Sequence, residues 1–400
     1  HISVGINMST ITSLISSGGG GGGLYGGVIE EIVLNKSQTW VPHQNGTVNI
    51  YVIGGGGAGG KVSGVSGNSF VTGGGAGGLC IHKSLDVTTS GSFTVVCGAG
   101  ALAPFSSNAS DAPDGGNSTV AGTGLSSTLT ANGGSGGNKG TNRAAAVLGG
   151  AGGSASNGNF ANRTGGTGGS VSANITTGVY GSAVTGGGAV AIKSLVGYAG
   201  GSVTAGNIDN QKIATGGAGI GGTGGNKSAT GELSYSTNGG SANFEAYDAV
   251  SGNNYNGIGN AQGNPYAFSF QYREASLVGA RHAVGGSGAT TGSSNRAGHG
   301  GGGIINQYPL KTAYQEAPQP SMGAGGGGCR TATADNVAGF GGAFAGGGGL
   351  YYTYAGQLNR NTGLGGCGGG GGGTISTNEV GIAGGTGGNG LVIIHYTAVA

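Results

Sequence analysis

The chain has 400 residues, of which 105 are glycine and only 7 are proline. So much glycine excludes an ordinary globular domain, and collagen is excluded because glycine does not recur strictly at every third position alongside abundant proline. Hydrophobic residues make up 36% of the chain, which is more than a disordered glycine/serine linker contains. The composition therefore predicts an ordered fold of an unusual kind.

Charge is scarce, since charged residues are 7% of the chain and the net charge is +2. A basic stripe that could follow a phosphate backbone is missing, so we expect no nucleic-acid partner. Only 13 carboxylates are available for acid–base chemistry. No apolar stretch approaches the roughly 18 residues that would cross a bilayer, so we expect no membrane insertion.

Residues 1–35 are predicted to form an attachment arm. Its first apolar residues alternate with small polar ones, which is the period of a half-buried strand: Ile2, Val4, Ile6 and Met8. A run of six glycines, 18–23, separates this strand from the sequence VIEEIVL. The arm has too little apolar surface to fold alone, so we expect it to dock on the main body, on a neighbouring copy or on whatever carries the protein.

Residues 36–400 are predicted to form one glycine-rich domain. An incoming strand ends in VIGGGGAGG, and the chain closes on GGTGGNGLVIIHY, where an outgoing strand follows the glycines. Within the clusters the other residues recur every third position, as Ser135 and Asn138 do in GGSGGN and Thr386 and Asn389 do in GGTGGNG. A strand would give a period of two and an α-helix one of 3.6.

A period of three fits the polyglycine II helix, which has three residues per turn and no internal hydrogen bonds. Its N–H and C=O groups need partners on neighbouring helices, and only bare glycine faces allow that approach. We therefore predict a mostly irregular, all-β fold: a bundle of packed polyglycine II helices with short flanking β-strands and long loops. Runs such as 368–373 would lie inside and GGX runs at the surface. The alternative is flexible glycine loops around a small β-sandwich.

Four cysteines, at positions 80, 97, 329 and 367, lack metal-binding spacing, so no metal is expected. Cys80 and Cys97 lie in two strand-like runs joined by a turn at 88–91, and a hairpin there would place their sulfurs opposite each other. One interpretation is a disulfide, which implies an oxidising location. The other is a pair of small buried apolar residues.

Residues 55–61 match the pattern GxxxxGK of a phosphate-binding loop. Val62 stands where that motif needs Ser or Thr, and the residues after it do not favour a helix. The six histidines are scattered through the sequence. We therefore expect no nucleotide, no cofactor and no enzymatic activity.

The loop 243–282 is the richest in aromatic residues, which together with arginine favour recognition surfaces. The predicted contact residues for a receptor or partner are Phe244, Tyr247, Tyr255, Tyr266, Phe268, Phe270, Tyr272 and Arg273. The alternative is that these side chains form a small core that caps the glycine bundle.

The order TWVP, VIGGGGAGG, GGGAGGLCIHKSLDVTTSGSFTVVCGAGA and GGTGGNGLVIIHY resembles the glycine-rich domains of tail-fibre and other surface proteins of bacteriophages and larger viruses, over about residues 38–397. Similar domains include the polyglycine sandwich of T-even-type tail-fibre tip adhesins and the extracellular glycine-rich domain of the anaplastic lymphoma kinase receptor. In the adhesins, loops that join the polyglycine helices contact the host receptor.

The resemblance implies a protein of the virion surface or the extracellular space. We expect a fibre or tip protein that binds a host surface receptor, protein or glycan, through loops on a rigid scaffold. The alternative is a structural subunit of a capsid decoration or extracellular filament, whose loops contact identical subunits. Either function predicts a homo-oligomer or attachment to a larger assembly.

Overall fold

The structure is a computed structural model. It describes residues 29–63, 69–103, 112–140, 146–172, 181–191, 196–204, 211–220, 222–228, 234–236, 239–240, 296–297, 328–331, 339, 341, 344–352, 363–376 and 384–398. These residues form strands and extended segments, with no α-, 3₁₀- or π-helix among them. The predicted all-β class is therefore confirmed for the described part of the chain.

The described strands are short, and most of them directly precede or follow a glycine segment. In chain order they are β1 (Ile29–Leu34), β2 (Gln38–Trp40), β3 (Gly46–Ile53), β4 (Lys61–Ser63), β5 (Ser69–Val71), β6 (Leu79–Val87), β7 (Phe93–Val96), β8 (Ser118–Gly122), β9 (Leu129–Ala131), β10 (Lys139–Gly140), β11 (Ala155–Ser156), β12 (Ala161–Arg163), β13 (Ser182–Val184), β14 (Val203–Thr204), β15 (Lys212–Ala214), β16 (Lys227–Ser228), β17 (Ser234–Ser236), β18 (Arg296–Ala297), β19 (Cys329–Thr331), β20 (Leu350–Tyr352), β21 (Thr374–Ser376) and β22 (Leu391–Ala398).

Two antiparallel sheets form a β-sandwich. Sheet 1 has the order β1-β22-β3-β6-β12, and sheet 2 has the order β11-β9-β8-β7-β2. The incoming strand β3 and the outgoing strand β22 pair along their whole length, from Gly46 opposite Ala398 to Ile53 opposite Leu391. The two ends of the glycine region are therefore joined in one sheet.

Side chains fill the space between sheets 1 and 2. Ile50 and Val52 of sheet 1 and Phe93 and Val120 of sheet 2 belong to one buried cluster, and the rings of Trp40 and Phe93 have centroids 5.3 Å apart. Alternation along each strand sends every second residue to this core. This part of the molecule is held together by apolar burial.

Sheets 3 and 4 lie at the other end of the glycine segments and are mainly parallel. Sheet 3 has the order β10-β5-β13-β15-β17, and sheet 4 has the order β18-β19-β20-β21-β4. A two-stranded sheet, β14-β16, completes the strand pairing of the described residues. Val71 and Val184 of sheet 3 share a buried cluster with Val62, Tyr351 and Ile375 of sheet 4. Segment 54–60 joins β3 to β4, and segment 72–78 returns from β5 to β6.

Main-chain hydrogen bonds arrange the glycine segments in three layers. The central layer contains 54–60, 72–78, 185–191 and 215–220. The front layer contains 112–117, 132–138, 149–154, 164–170, 197–202 and 222–226. The rear layer contains 344–349, 363–373 and 384–390, and segment 98–102 lies at the margin, where it accepts from Gly116, donates to Gly56 and accepts from Gly387. Every residue of segments 54–60 and 72–78 is buried, so these glycine segments are not solvent-exposed loops.

Segment 54–60 shows how the layers are bonded. All its N–H groups donate to main-chain carbonyls, and successive residues point to three different neighbours in turn. Residues 54, 57 and 60 donate to 78, 75 and 72, residues 55 and 58 donate to 116 and 113, and residues 56 and 59 donate to 388 and 385. Each neighbour is therefore met at every third residue.

The exposure of side chains follows the same period. In the front layer Ala151, Ser154, Thr164 and Thr167 are exposed while the glycines between them are buried or half-buried. The predicted interior run 368–373 is buried throughout. The expectation for 368–373 is confirmed. The expectation that GGX runs lie at the surface holds in the front layer but not in the central layer, where Ala58 and Ala76 of GGAGG are buried.

Ile220 behaves differently from the other residues of the triplet phase. It is 1% exposed and packs in the cluster that covers the second face of sheet 1, with Phe344 and Ile393. The side-chain edge of a GGX run can therefore face a core as well as solvent.

Threonines occupy equivalent places in the central layer. The sequences SFVTGGGA and SAVTGGGA, and the looser match KIATGGAG, carry Thr72, Thr185 and Thr215 directly after β5, β13 and β15, which pair in parallel register. Thr185 Oγ1 donates to the Gly169 carbonyl at 2.6 Å and accepts from the Gly73 N–H at 3.1 Å. This buried hydroxyl links the front and central layers.

The predicted hairpin of Cys80 and Cys97 is wrong. Strand β6 pairs with β3 and β12 in sheet 1, whereas β7 pairs with β2 and β8 in sheet 2. The turn at 88–91 therefore carries the chain from one sheet to the other, because both strands place apolar residues in the core between the sheets.

The last strand of the predicted arm, β1, pairs antiparallel with β22 at the edge of sheet 1. Of the three docking places expected for the arm, this strand uses the main body. The strand predicted at residues 2–8 lies outside the described residues.

Candidate interaction surface

The contact residues predicted in loop 243–282 all lie outside the described residues: Phe244, Tyr247, Tyr255, Tyr266, Phe268, Phe270, Tyr272 and Arg273. The described chain on either side is anchored. Gly240 donates its N–H to the Gly217 carbonyl at 2.8 Å, and β18 pairs with β19 in sheet 4. The described residues nearest to the loop in sequence, 240 and 296, therefore belong to the glycine layers and to sheet 4.

Cys80 and Cys97 are free thiols in the structure. The Cys80 thiol donates to the Ser156 carbonyl at 3.2 Å, and the Cys97 thiol donates to the Leu34 carbonyl at 3.1 Å. Burial raises the pKa of Cys80 to about 11, so its thiol is neutral near pH 7 and a poor nucleophile. The interpretation as small apolar side chains fits this geometry, whereas a disulfide does not.

The phosphate-loop pattern at 55–61 has no N–H groups left for a phosphate. The amides of residues 55–60 already donate to carbonyls of other segments. Lys61, which ends the pattern, is 1% exposed, and burial lowers its pKa. A phosphate cradle needs main-chain N–H groups turned toward the ligand, so this loop is a structural element.

The front layer presents a surface of short side chains, which we call the front face. Its members repeat every three residues along each segment and are Asp114 and Asn117; Asn132, Ser135 and Asn138; Leu148, Ala151 and Ser154; Thr164, Thr167 and Ser170; Val196, Ala199 and Ser202; and Thr223 and Asn226. Asp114 is the one charged residue in this set. The front face is therefore a nearly neutral array of hydroxyl, amide and methyl groups.

Several of these side chains also accept hydrogen bonds from main-chain N–H groups of the front layer. Asn117 Oδ1 accepts from the Gly133 N–H at 2.9 Å, and Asp114 Oδ1 accepts from the Gly136 N–H at 2.8 Å. Asn226 Oδ1 accepts from the Ser202 N–H at 2.8 Å in the same way. These oxygens replace main-chain acceptors between neighbouring segments of the front layer, so the side chains of the front face help to hold that layer together.

A second surface feature lies at the edge of sheet 1 and consists of Phe160 and Lys83. Phe160 is 50% exposed, and the Lys83 ammonium lies 3.3 Å from its ring centroid. A cation over an aromatic face is attracted by the ring quadrupole. The pair therefore combines an exposed apolar ring with a positive charge.

The chain that carries Phe160 is tightly held. The Asn159 side chain bonds both main-chain groups of Lys83, accepting from its N–H at 2.8 Å and donating to its carbonyl at 2.9 Å. Asn162 bonds both main-chain groups of Gly158 at 2.9 and 3.0 Å. Two side-chain amides thus take the place of strand pairing and fix the loop that presents the ring.

Left-handed backbone conformations occur at the same place. Ser84 has φ 56° and Asn157 has φ 68°, and the register of β3 with β6 shifts between Val48 and Ile50. The Ser84 N–H donates to Asn49 Oδ1 at 2.9 Å, which holds the irregular strand in position. Bulges and strained residues of this kind are concentrated near functional sites.

Sequence reasoning missed Phe160, because it is a single aromatic residue in the polar stretch SNGNFANR. The asparagine-rich turn around it was the available signal, since asparagine tolerates left-handed conformations and bonds nearby main chain. A rigid aromatic side chain beside a cation can contact a partner that offers an apolar patch next to a hydrogen-bond acceptor.

Within the described ranges, no three His, Cys, Asp or Glu residues are grouped as metal ligands. The same part of the chain contains no helix that is long and apolar enough to cross a membrane. No protein-family model matches this chain, and no curated protein matches its sequence significantly.

Proposed function

We propose that the glycine segments are polyglycine II helices. Hydrogen bonds that meet each neighbour at every third residue support this assignment, because polyglycine II has three residues per turn. Burial of whole segments supports it too, since only glycine lets main chains approach closely enough to bond from all sides. The assignment explains why the chain needs 105 glycines.

On this scaffold we propose a non-enzymatic surface protein: a virion-surface fibre or tip protein that binds a host-cell receptor. The observation that carries the proposal is Phe160, a half-exposed aromatic residue held by four side-chain hydrogen bonds to main-chain groups at a strained strand edge. Aromatic anchors on rigid supports lose little conformational entropy on binding. The resemblance to phage tip adhesins, and the aromatic loop 243–282, support the same function.

A structural role in a capsid decoration or filament is the second candidate. It is favoured by Leu148 and Val196, which are 67% and 56% exposed and are the two large apolar side chains of the front face. Apolar side chains on a flat, rigid face are suited to contacts between identical subunits. In that case the loops and the front face would bind other copies of the chain.

Binding measurements test the receptor proposal. The purified protein is applied to immobilised cell-surface glycans and proteins, as wild type, Phe160→Ala and the triple variant Tyr266→Ala, Phe268→Ala, Tyr272→Ala. Truncating an anchor residue typically costs more than about 1 kcal/mol of binding free energy, so we expect at least one variant to bind roughly fivefold more weakly or worse. Exposed Leu148→Ala serves as a matched control that should bind normally.

The same samples separate the two functions. Wild-type protein that binds no surface molecule but forms oligomers in sedimentation velocity, which Leu148→Ala and Val196→Ala weaken, would support the structural role and rule against the receptor role. Unfolding temperatures must be equal among the variants, so that lost binding reports on the contact and not on stability.

A further inference from the structure

Strand β1 leaves one side of sheet 1 open. In the described part of the chain it pairs only with β22 and stands at the end of the order β1-β22-β3-β6-β12. The main-chain groups that point away from β22 have no strand beside them within that order. Such an edge is a template for one more strand.

This edge differs from the other described edges in length. β1 has six residues, whereas β12, β2, β17 and β4 have three and β10, β11 and β18 have two. Its register with β22 runs without interruption from Ile29 to Leu34. Proteins usually protect an edge by keeping it short, by a bulge, by proline or by charged side chains; β1 is long and has no bulge or proline, and its only charges are the adjacent Glu30 and Glu31.

The side-chain pattern of β1 also favours pairing with a further strand at its open edge. Ile32 packs at the border of the core between sheets 1 and 2, and Leu34 is buried in it. Val33, which points to the other face, is 36% exposed. Two glutamates occupy positions 30 and 31, so the charge lies in the first half of the strand and the second half, 32–34, is purely apolar. An added strand would extend both faces of the sheet at this end.

We propose that residues 2–8 of the same chain form the strand that pairs with the free edge of β1. The alternation of Ile2, Val4, Ile6 and Met8 with small polar residues matches a strand with one face on the core, and the segment carries no charge. Its seven residues match the six of β1, and every other described edge is too short to hold them.

The connection permits this pairing. Residues 9–28 separate the two strands and include the six-glycine run 18–23. A flexible chain of that length has a root-mean-square span of about 25 Å, and β1 is about 20 Å long. The arm can therefore reach either end of β1, and the tether gives it a local concentration of about millimolar. Pairing within one chain is thus favoured over pairing between copies in dilute solution.

Amide hydrogen exchange on the full-length protein tests the proposal. In a free antiparallel edge strand about half of the N–H groups face solvent, so half of the β1 amides should exchange quickly; a paired arm protects all of them. Val4→Pro and Gly5→Pro are made separately, because alternate N–H groups face β1 and one of the two substitutions must remove a pairing donor. Ser17→Pro, between the arm and the glycine run, is the matched control.

We expect slow exchange throughout β1 in the wild type and in Ser17→Pro, at protein concentrations from micromolar upward. In one of the two arm variants, alternate amides of β1 should exchange at least tenfold faster, while β3 and β22 stay unchanged. Equal exchange in all four proteins would overturn the proposal. Protection that disappears on dilution together with a dimer would overturn the same-chain assignment and identify residues 2–8 of a second copy as the added strand.

Discussion

The central glycine layer and the sandwich of sheets 1 and 2 belong to one chain but are stabilised differently. In the sandwich, buried side chains such as Phe93 and Ile394 fill the space between the sheets. In the central layer, segments 54–60 and 72–78 have almost no side chains and are joined by main-chain hydrogen bonds on several sides. The sandwich is stabilised by the volume of its buried apolar side chains. The central layer depends on the absence of side chains, which lets the main chains approach one another.

The difference predicts opposite sensitivities to substitution. In the sandwich, the free energy of unfolding should fall most when a large buried side chain is removed. The glycine layers should suffer most when a single carbon is added, because a Cβ there meets main-chain atoms that cannot move independently. Three substitutions make this comparison measurable.

The largest effect is expected for Phe93→Ala in the sandwich. Phe93 is 0% exposed and packs against Trp40. Removing a buried phenyl ring typically costs about 3–5 kcal/mol in the free energy of unfolding, through lost burial and the cavity left behind. Denaturant unfolding measures it, with the exposed neighbour Thr94→Ala as a control expected to change stability by less than about 0.5 kcal/mol. Equal values for the two would contradict the side-chain core.

A single added carbon is expected to have a comparable effect in the central layer. A Cβ on Gly57 would overlap the Ser135 carbonyl oxygen. Overpacking of a close-packed interior costs about 1–3 kcal/mol, and we expect Gly57→Ala to reach about 3 kcal/mol because both partners are main chain. Gly91→Ala is the control, since its Cβ would lie 3.0 Å from the Thr88 carbonyl oxygen and at least 3.7 Å from the other atoms.

A stable Gly57→Ala protein, with an unfolding free energy equal to that of Gly91→Ala, would show that the central segments are loosely packed. It would also remove the main support for polyglycine II helices. The same unfolding curves report both results.

The smallest effect is expected for Thr185→Val, which keeps the shape of the side chain but removes the hydroxyl. The Gly73 N–H and the Gly169 carbonyl then lose a buried partner. Leaving buried polar groups unsatisfied costs about 1–3 kcal/mol, and we expect the free energy of unfolding to fall by about 2 kcal/mol. Thr167→Val, at an exposed front-face position, should be nearly neutral. Equal effects of the two valines would mean that the hydroxyl does not link the layers.

Much of the scaffold was predictable from local patterns. The triplet phase of residues such as Asn389 predicted an exposed edge along the outer segments, and the run 368–373 predicted an interior segment. The strands on either side of the glycines were predicted as incoming and outgoing, and they pair as β3 and β22. These features follow from short-range periodicity, so a single sequence contains them.

The candidate contact site was less predictable. The aromatic loop 243–282 was the prominent sequence signal and remains a prediction, whereas Phe160 stood out only when its fixed loop and its contact with Lys83 were known. The threonine positions 72, 185 and 215 were also missed, because their equivalence depends on the parallel register of three strands.

By itself the sequence determined that the glycine segments must be ordered together, because their period of three and their apolar flanking strands leave the main-chain groups in need of partners. Tertiary structure alone decided which partners those are. Glycine segments are nearly identical to one another, so their neighbours are chosen by the strands at their ends, as when β6 and β7 enter different sheets and separate Cys80 from Cys97. That choice depends on burying side chains distant in sequence, which local patterns do not specify.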